Sequence, residues 1–380
     1  MKIVIAFDSL KGALTAPETC RIVAESLAGE LPDTTIVELP MADGGEGTVA
    51  ALVAACNGQF IEVPEVTGPL PDMRCRGVYG WLPAQHTAVI EMAAVSGLPL
   101  LKVSERNPLK TTTYGTGQLI RHAASETGAR RILLALGGSA TVDGGVGAAC
   151  ACDWQFLDAH GDQIQPGGGN LRNIAQILPP SNNELCDIDL EVLCDVTNPL
   201  CGPNGAATVY GPQKGATPEM VRELENALRH LAFCIQEQLA VEVANIPGAG
   251  AAGGFGAGAI AFFGGELVPG IDAVAEACGL ESALEDADWV ITGEGQLDRQ
   301  SLQGKVVDGV ARRARLHNTH VGVMAGRVAL AENEDKAAGL DEVIQITPEY
   351  VEREKAIAEV RQYLRLAAAR LAGRIRPESV

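Results

Sequence analysis

The sequence predicts an α/β protein with two α/β domains, one of them built around a parallel sheet. Its 380 residues exceed the roughly 150 of a typical single domain, so more than one domain is expected. Short β-rich apolar runs alternate with amphipathic helical stretches, which is the pattern of strand–helix–strand units in a parallel sheet. Apolar residues make up 47% of the chain and charged residues 20%, a balance that indicates a well-buried globular protein and excludes a disordered one.

The N-terminal segment begins with two strand–helix units. Lys2–Phe7 is a short apolar run and predicts the first buried strand. A helix is expected after it, because Thr15 and Glu18 have the spacing of a capping box. Residues 35–41 then predict a second strand, and residues 48–56 predict a second helix.

The middle of the chain has a different pattern from its two ends. Between about residues 62 and 88 the apolar runs are short and separated by Pro and Gly, which favours antiparallel or mixed strands. Hydrophobic periodicity predicts the other elements: helices over 117–125, 218–239 and 350–371, and strands over 132–136, 289–292, 321–325 and 342–346.

These patterns predict a discontinuous domain organisation. Residues 1–65 and 285–380 are expected to form a Rossmann-like parallel-sheet domain from both chain ends, to which residues 111–145 could add a strand and helices. Residues 66–284 are expected to form an inserted mixed-sheet α/β domain. Because small-molecule sites are common where two domains meet, the active site is expected in the cleft between them.

Charge and cysteine content restrict the partners and the compartment. The formal net charge of −19 disfavours binding to nucleic acid or to anionic membranes. The ten cysteines include no C-x-x-C pair, the N-terminus does not have the pattern of a signal peptide, and no run reaches the roughly 18 apolar residues of a membrane helix. We therefore expect a cytoplasmic protein with small-molecule partners, and the sequence leaves homo-oligomerisation open.

Glycine-rich loops, most of which carry an acidic residue, follow the predicted strands. They span residues 7–12, 41–48, 136–147, 194–199, 247–256 and 292–298. In an open parallel sheet, the loops after the strands collect at one edge, where ligands bind.

The residue types in these loops fit phosphoryl transfer. Glycine allows backbone N–H groups to approach an anion, and Asp is a usual ligand of Mg²⁺. Phosphoryl transfer needs both, together with a cation on the migrating charge. Lys11 is the one lysine set inside such a loop. The combination predicts transfer from a nucleoside triphosphate.

Two other functions are compatible with parts of the sequence. The spacing Gly248-x-Gly250-x-x-Gly253, with Asp272 downstream, matches the dinucleotide fingerprint and allows an NAD-linked 2-hydroxy-acid dehydrogenase. No convincing strand precedes it, so these residues are better explained either as the start of a buried, close-packed helix over 255–263 or as backbone that lines the active site. A non-catalytic hydroxy-acid binding protein is the other alternative. The acidic loops argue against it, because carboxylates beside a bound anion do not favour its binding unless a metal is present.

Seven motifs follow one another over essentially the whole chain. They are Asp8-Ser9-Leu10-Lys11-Gly12, Ala42-Asp43-Gly44-Gly45-Glu46-Gly47-Thr48, Tyr114-Gly115-Thr116-Gly117, Gly137-Gly138-Ser139-Ala140-Thr141, Cys194-Asp195-Val196-Thr197-Asn198-Pro199-Leu200, Pro247-Gly-Ala-Gly-Ala-Ala-Gly-Gly254 and Thr292-Gly293-Glu294-Gly295. In content and order this series resembles the bacterial type I glycerate kinases, the glycerate 2-kinase family. Phe7, Leu10 and Val142 depart from that pattern, in which Pro, Phe and Asn are usual.

The resemblance implies ATP- and Mg²⁺-dependent phosphorylation of D-glycerate, usually at the hydroxyl that gives 2-phosphoglycerate, with ADP as the other product. It also implies two α/β domains, in agreement with the patterns above.

Site residues follow from the resemblance and from the loop chemistry together. Asp195, Asp43 and Lys11 are expected to be catalytic, with Asp195 and Asp43 serving as general base and Mg²⁺ ligand in either order and Asp298 as a further ligand. The expected substrate-binding residues are Asp8, Ser9, Lys11, Asn198 and Glu46. The expected ATP- and phosphate-binding residues are Gly137, Gly138, Ser139, Thr141, Gly293, Glu294 and Gly295.

Overall fold

The computed structural model describes residues 1–182, 185–331 and 334–376 of the chain. The chain divides into two compact units. Unit 1 comprises Met1–Asp43, Ala50–Gly58 and Ile271–Val380, and unit 2 comprises Gly44–Val49 and Gln59–Gly270. The boundaries near 58 and 270 lie a short way from those drawn on the sequence, at 65 and 284.

The strands of the described residues follow in chain order. They are β1 (Lys2–Phe7), β2 (Thr35–Glu38), β3 (Gln59–Thr67), β4 (Arg74–Leu82), β5 (Thr87–Glu91), β6 (Arg131–Ala135), β7 (Gln155–Leu157), β8 (Gln176–Leu178), β9 (Asp189–Leu193), β10 (Glu266–Val268), β11 (Trp289–Gly293), β12 (Gln296–Leu297), β13 (His320–Ala325), β14 (Arg327–Val328) and β15 (Glu342–Gln345).

The α-helices are numbered in the same way. They are α1 (Ala16–Glu30), α2 (Thr48–Ala55), α3 (Ala93–Ser96), α4 (Tyr114–Thr127), α5 (Val146–Ala151), α6 (Ala206–Tyr210), α7 (Pro218–Leu239), α8 (Ala251–Phe263), α9 (Gly270–Cys278), α10 (Leu280–Leu284), α11 (Val306–Leu316), α12 (Glu334–Ala337), α13 (Arg353–Ala358) and α14 (Val360–Ile375). None of the helices among the described residues is both long and apolar enough to cross a membrane.

Unit 1 contains the predicted parallel sheet built from both ends of the chain. Its five strands have the order β15-β13-β11-β1-β2, and every neighbouring pair is parallel. Helices α1 and α14 pack together, and their apolar residues form one core with Ile3, Ile5 and Phe7 of β1. Helix α1 begins as predicted, because the Thr15 side chain accepts from the backbone N–H of Glu18 and the Glu18 carboxylate accepts from that of Thr15.

Unit 2 contains the predicted mixed sheet. Its six strands have the order β10-β9-β6-β5-β4-β3, in which β10, β9, β6 and β5 are parallel and β4 and β3 are antiparallel. The long helix α7 has the bounds that the periodicity predicts, and Leu224, Leu228, Leu231 and Ile235 lie on its buried face. The two-domain α/β fold class is therefore confirmed.

Two expectations require correction. The segment 111–145, for which the sequence allowed a place in the Rossmann-like domain, lies in unit 2, because its strand β6 hydrogen-bonds to β5 and β9 of the six-stranded sheet. The helix predicted over 350–371 is two helices, α13 and α14, because Glu359 between them leaves the helical conformation, with φ −104° and ψ 12°. Ile357 is consequently outside the buried face of α14 and 38% exposed.

Candidate active site

Three carboxylates come together at the carboxyl edge of the sheet in unit 1. Asp8 follows β1, Glu294 follows the neighbouring strand β11, and Asp43 lies in the loop after β2. The backbone N–H of Asp8 donates to the carbonyl oxygen of Gly293 at 3.1 Å, which joins the first two loops. The convergence of acidic loops expected from a parallel sheet is therefore present within this unit.

The ionisation of Asp8 reports its surroundings. Burial, and after it the negative charge of Asp43, raises the pKa of Asp8 from its usual 3.8 to about 7. The charge of Glu294 acts in the same direction, whereas the Ser9 N–H, which donates to Asp8 Oδ1 at 2.6 Å, and the charge of Lys11 lower the pKa. Asp8 is 7% exposed, so it lies at the floor of this carboxylate cluster.

The pKa of Glu294 is also raised by burial and by neighbouring negative charges. Burial raises its pKa, and Asp298 and Asp43 add to the effect, against the Ser301 hydroxyl and the charge of Lys305. Within the described residues, its Oε1 atom is buried without a hydrogen-bond partner. A buried carboxylate oxygen without a partner is costly unless a cation or a donor arrives with a ligand.

These carboxylates suit a metal that arrives with phosphate. In the part of the chain that the structure describes, no group of three or more His, Cys, Asp or Glu side chains is arranged to hold a metal ion. Mg²⁺ in nucleotide sites usually takes one or two carboxylates and completes its shell with phosphate oxygens and water. The carboxylate oxygens of Asp8, Asp43 and Glu294, among them the unpartnered Glu294 Oε1, fit that requirement.

The other predicted residues of unit 1 surround this cluster in different ways. Lys11 and Gly295 are exposed, and Ser9 is half-buried beside Asp8. Gly293 has no room for a side chain, because a Cβ there would lie 1.9 Å from the Met324 carbonyl oxygen. The Asp298 carboxylate accepts from three donors of its own turn, the backbone N–H groups of Gln300 and Ser301 and the Gln296 amide. Asp298 therefore holds its own turn together, a structural role besides the metal-ligand role that the sequence predicts.

In unit 2, glycine loops meet at the carboxyl ends of the parallel strands. A Cβ on Gly44 would lie 2.7 Å from Leu193 Cβ at the end of β9, and a Cβ on Gly137, after β6, would lie 3.0 Å from Gly45 Cα. Asp195, two residues beyond β9, accepts from the Gly270 N–H at 2.9 Å. The segments around Gly44, Gly137 and Asp195 are thus neighbours, as the sequence predicts for loops at one sheet edge.

The loop after β6 presents backbone outward and side chains inward. Gly137 and Gly138 are exposed, whereas Ser139 is 6% exposed and Thr141 is fully buried. The Leu98 N–H donates to the Gly138 carbonyl at 2.9 Å, which ties the inner side of the loop down. The Thr141 hydroxyl is buried and, among the described residues, has no hydrogen-bond partner, and its contact with phosphate stays a prediction.

Asn198 and Glu46 were expected to bind substrate. The Asn198 amide donates to the Asn204 carbonyl at 2.8 Å and accepts from the Tyr210 hydroxyl at 2.7 Å, so it holds its own loop. Glu46 is exposed and raises the pKa of the nearby Glu91, behind the larger effect of burial. Both residues lie in unit 2.

Three charged residues of unit 2, half-buried Glu91 and buried Lys214 and Asp143, are not among the predicted site residues. Glu91 ends β5 and accepts from the Gly47 and Val49 N–H groups at 3.1 and 2.8 Å, which fixes the start of α2. Lys214 is 2% exposed, and Asp143 is 1% exposed beside it. Asp143 lies inside a glycine loop and could have been singled out, whereas no motif surrounds Lys214.

The dinucleotide fingerprint serves packing in this structure. Among the strands that the structure describes, none runs directly into it, and a Cβ on Gly250 or Gly253 would lie 2.2 or 2.0 Å from the backbone carbonyl of Pro199 or Thr141. Asp272 is in α9 and pairs with Arg312 and Arg313. The glycines are therefore needed for close backbone approach, and the segment opens the buried helix α8 as the alternative explanation proposed.

A cavity of about 760 Å³ lies elsewhere in unit 2. Its lining includes Met73, Leu101, Lys110 and Asn170 and involves none of the predicted site residues among those the structure describes. It therefore adds no group to the chemistry above.

Replacing Asp8 with Asn is expected to stabilise the ligand-free protein at pH 8 by about 2–4 kcal/mol. The unfolded carboxyl ionises near its usual 3.8 and the folded one at about 7, so between these values the folded state binds more protons and wild-type stability falls as pH rises. Thermal unfolding in EDTA from pH 4 to 8 measures this. The gain in stability of Asp8→Asn over the wild type should be full above pH 7 and vanish near pH 4. An equal gain from Asp33→Asn, at an exposed turn, would contradict this prediction.

Gly44→Ala is expected to destabilise the protein by about 1–3 kcal/mol more than Gly47→Ala. Both glycines have positive φ, +84° and +96°, so both variants carry backbone strain of about 1–2 kcal/mol. Only the Cβ at 44 meets another residue, Leu193, since nothing lies within 4 Å of a Cβ at 47. Urea unfolding of the two variants compares them directly, and equal losses would show that the approach to Leu193 does not matter.

The comparisons with known proteins agree with these observations. The sequence pattern of the glycerate kinase family matches residues 3–376. A glycerate kinase from Bacillus subtilis (strain 168) is 43% identical over 99% of this chain and 98% of its own, and a glycerate 2-kinase from Escherichia coli (strain K12) is 44% identical over 91% and 90%.

A solved crystal structure shows the same similarity in three dimensions. It is named for glycerate kinase 2 from Salmonella typhimurium LT2, superposes with a TM-score of 0.89 at 44% identity, and covers 99% of this chain and 98% of its own. Since the family pattern and the relatives cover nearly the whole chain, the protein belongs to the glycerate kinase family.

Proposed function

We propose that this protein is an ATP-dependent glycerate kinase that transfers the γ-phosphoryl group of ATP to D-glycerate and gives 2-phosphoglycerate and ADP. The observation that carries the proposal is the cluster of Asp8, Asp43 and Glu294 in unit 1, in which burial and the charge of Asp43 raise the pKa of Asp8 and of Glu294. Family membership and the name of the 2-kinase relative from Escherichia coli support the choice of substrate and hydroxyl.

One or two of the carboxylates of Asp8, Asp43 and Glu294 would hold the Mg²⁺ ion of Mg·ATP, with phosphate oxygens and water as its other ligands. The ion supplies positive charge to the phosphate oxygens as the phosphoryl group is transferred. The mutual repulsion of the carboxylates in the ligand-free protein is then relieved when substrate binds. Lys305, whose charge lowers the pKa of Glu294, belongs to the same electrostatic set.

Backbone groups would bind the phosphates. Gly137 and Gly138 are exposed at the end of β6, and Gly295 is exposed beyond β11, so their N–H groups are open to an anion. Ser139 is their side-chain partner in unit 2. The Thr141 hydroxyl, which is buried, is a further predicted phosphate contact of this loop.

Glycerate would be bound and activated by side chains. Lys11, which is exposed, would neutralise the glycerate carboxylate, with Ser9 as a hydroxyl donor. Asp195, exposed and oriented by the Gly270 N–H, is the proposed general base on the glycerate hydroxyl. The base takes its proton late, because a loose phosphoryl-transfer transition state needs little nucleophilic push.

We further propose that the enzyme acts in the cytoplasm on small-molecule substrates alone. The net charge of −19 disfavours nucleic acid and anionic lipid as partners.

A substrate panel tests the proposed reaction. Purified protein is incubated with ATP and D-glycerate, L-glycerate, lactate or glycolate, with Mg²⁺ or with EDTA, and ADP release is followed. We expect ADP only with Mg²⁺ and fastest with D-glycerate. NAD⁺-dependent absorbance change without ADP would favour a dehydrogenase, and thermal stabilisation by glycerate without ADP would favour a binding protein; either result would refute the kinase.

A further inference from the structure

Lys214 is a buried cation in unit 2 that the chemistry above does not use. It lies at the end of a short turn, Pro212–Lys214, between α6 and α7, and is 2% exposed. Gly215 follows with φ +91°, and a Cβ there would lie 2.5 Å from the Arg106 carbonyl oxygen, so the turn that seats Lys214 requires glycine. Lysine side chains are almost never fully buried unless they are paired with a charged group, so the burial of Lys214 needs an explanation.

The Lys214 ammonium donates to two atoms of the loop after β6. Its Nζ lies 2.8 Å from Ser139 Oγ and 2.7 Å from the Thr141 carbonyl oxygen. Among the ion pairs of the described residues, none includes Lys214. Asp143 contributes charge nearby, but its own carboxylate is taken up by Thr113, Gly145 and Gly147. The main polar contacts of Lys214 are therefore with the candidate phosphate loop.

The direction of the Lys214–Ser139 hydrogen bond determines what Ser139 can do. An ammonium group has donors only, so Ser139 Oγ must accept from it. A serine hydroxyl has one hydrogen, and that hydrogen is then available to another acceptor. Burial lowers the pKa of Lys214 to about 7, and an anion bound at this loop would favour the charged form.

Two backbone hydrogen bonds on either side of Ser139 hold its loop in place. The Leu98 N–H donates to the Gly138 carbonyl and the Ala140 N–H donates to the Ser96 carbonyl, each at 2.9 Å. These bonds secure the loop on one side, while Gly137 and Gly138 are exposed on the other. Because Ser139 accepts from Lys214 and keeps its own hydrogen, its hydroxyl can add a side-chain donor to the N–H groups of the two glycines.

We infer that Lys214 is a positioning residue that fixes the Ser139 hydroxyl as a hydrogen-bond donor to a phosphate oxygen of ATP. The inference rests on the proposed function, since it names the nucleotide as the ligand of this loop. Lys214 itself does not touch the nucleotide and acts through Ser139 and the Thr141 carbonyl.

Three variants test this inference. Lys214→Met keeps the aliphatic stem without the donors, Ser139→Ala removes the hydroxyl, and the double variant measures their coupling. Lys102→Met makes the same chemical change at an exposed position and serves as the control. For each protein, KM for ATP, KM for D-glycerate and kcat are measured, and Mg·ATP binding is titrated by calorimetry without glycerate.

Each single variant should weaken ATP binding by about 10-fold or more, since one charge-assisted hydrogen bond is lost. KM for glycerate should change less than about 2-fold, and the double variant should be no worse than the worse single one. Unchanged ATP affinity in Ser139→Ala, additive losses in the double variant, or a rise confined to KM for glycerate would overturn the inference.

Misfolding of a variant and failure of the proposed reaction can each be distinguished from a failure of the inference. If Lys214→Met does not fold, Ser139→Ala still tests the contact with the nucleotide. If the wild-type protein binds Mg·ATP but releases no ADP with glycerate, the proposed function fails, while the calorimetric comparison still decides the role of Ser139.

Discussion

Asp43→Asn is expected to lower kcat by about 10²–10³-fold, the usual loss when a group that stabilises transition-state charge is removed. Asp43 shares the carboxylate cluster of unit 1 and raises the pKa of both Asp8 and Glu294. An amide keeps the shape of the side chain but cannot hold Mg²⁺ as a carboxylate does. We expect the lost rate to be recovered in part by raising the Mg²⁺ concentration, because the remaining ligands bind the ion less tightly.

The control for this variant is Asp33→Asn, an exposed aspartate of the same unit. Steady-state kinetics at several Mg²⁺ concentrations compare the two variants with the wild type. A kcat for Asp43→Asn within a few-fold of wild type at every Mg²⁺ concentration would remove Asp43 from the catalytic groups.

Gly253→Ala should be the most damaging of the single-methyl additions proposed here. At φ +72°, an added Cβ would lie 2.0 Å from the Thr141 carbonyl oxygen, a backbone atom that cannot move aside alone. Backbone strain and overpacking together predict a loss of about 3 kcal/mol or more. Because the same carbonyl accepts from Lys214, ATP affinity should fall as well.

Gly264→Ala is the matched variant for this prediction. Gly264 ends the same helix with φ +64° and has nothing within 4 Å of an added Cβ, so only the backbone strain remains. Differential scanning calorimetry of the two variants separates strain from collision. Similar melting temperatures for both variants would show that the close approach of Gly253 to the Thr141 carbonyl does not affect stability.

The sequence predicted those parts of the fold that depend on local pattern. The apolar run at Lys2–Phe7, the capping box at Thr15 and the periodicity of Pro218–Leu239 each determine their element by short-range interactions, and all three are confirmed. The placement of 111–145 depended on which strands β6 pairs with, and strand pairing is a long-range choice that periodicity does not encode.

The candidate site was predictable where loop chemistry follows from strand order. Asp8 and Glu294 lie side by side because β1 and β11 are neighbouring parallel strands. Each residue belongs to a motif from which the sequence predicts a site residue. Lys214 could not be found in this way, because its role depends on a turn folding back onto the loop after β6. Thr141 and Asn198 both belong to motifs, and their binding roles stay predictions, because a motif does not tell that the Thr141 side chain is buried or that the Asn198 amide hydrogen-bonds within its own loop.

Phosphorus NMR of the complete reaction tests the proposed phosphoryl transfer. Wild-type protein is mixed with Mg·ATP and D-glycerate, and the spectrum is followed over time. We expect loss of the γ-phosphate signal with equal gains of ADP and 2-phosphoglycerate. Unchanged ATP, or release of inorganic phosphate without a phosphorylated glycerate, would contradict it.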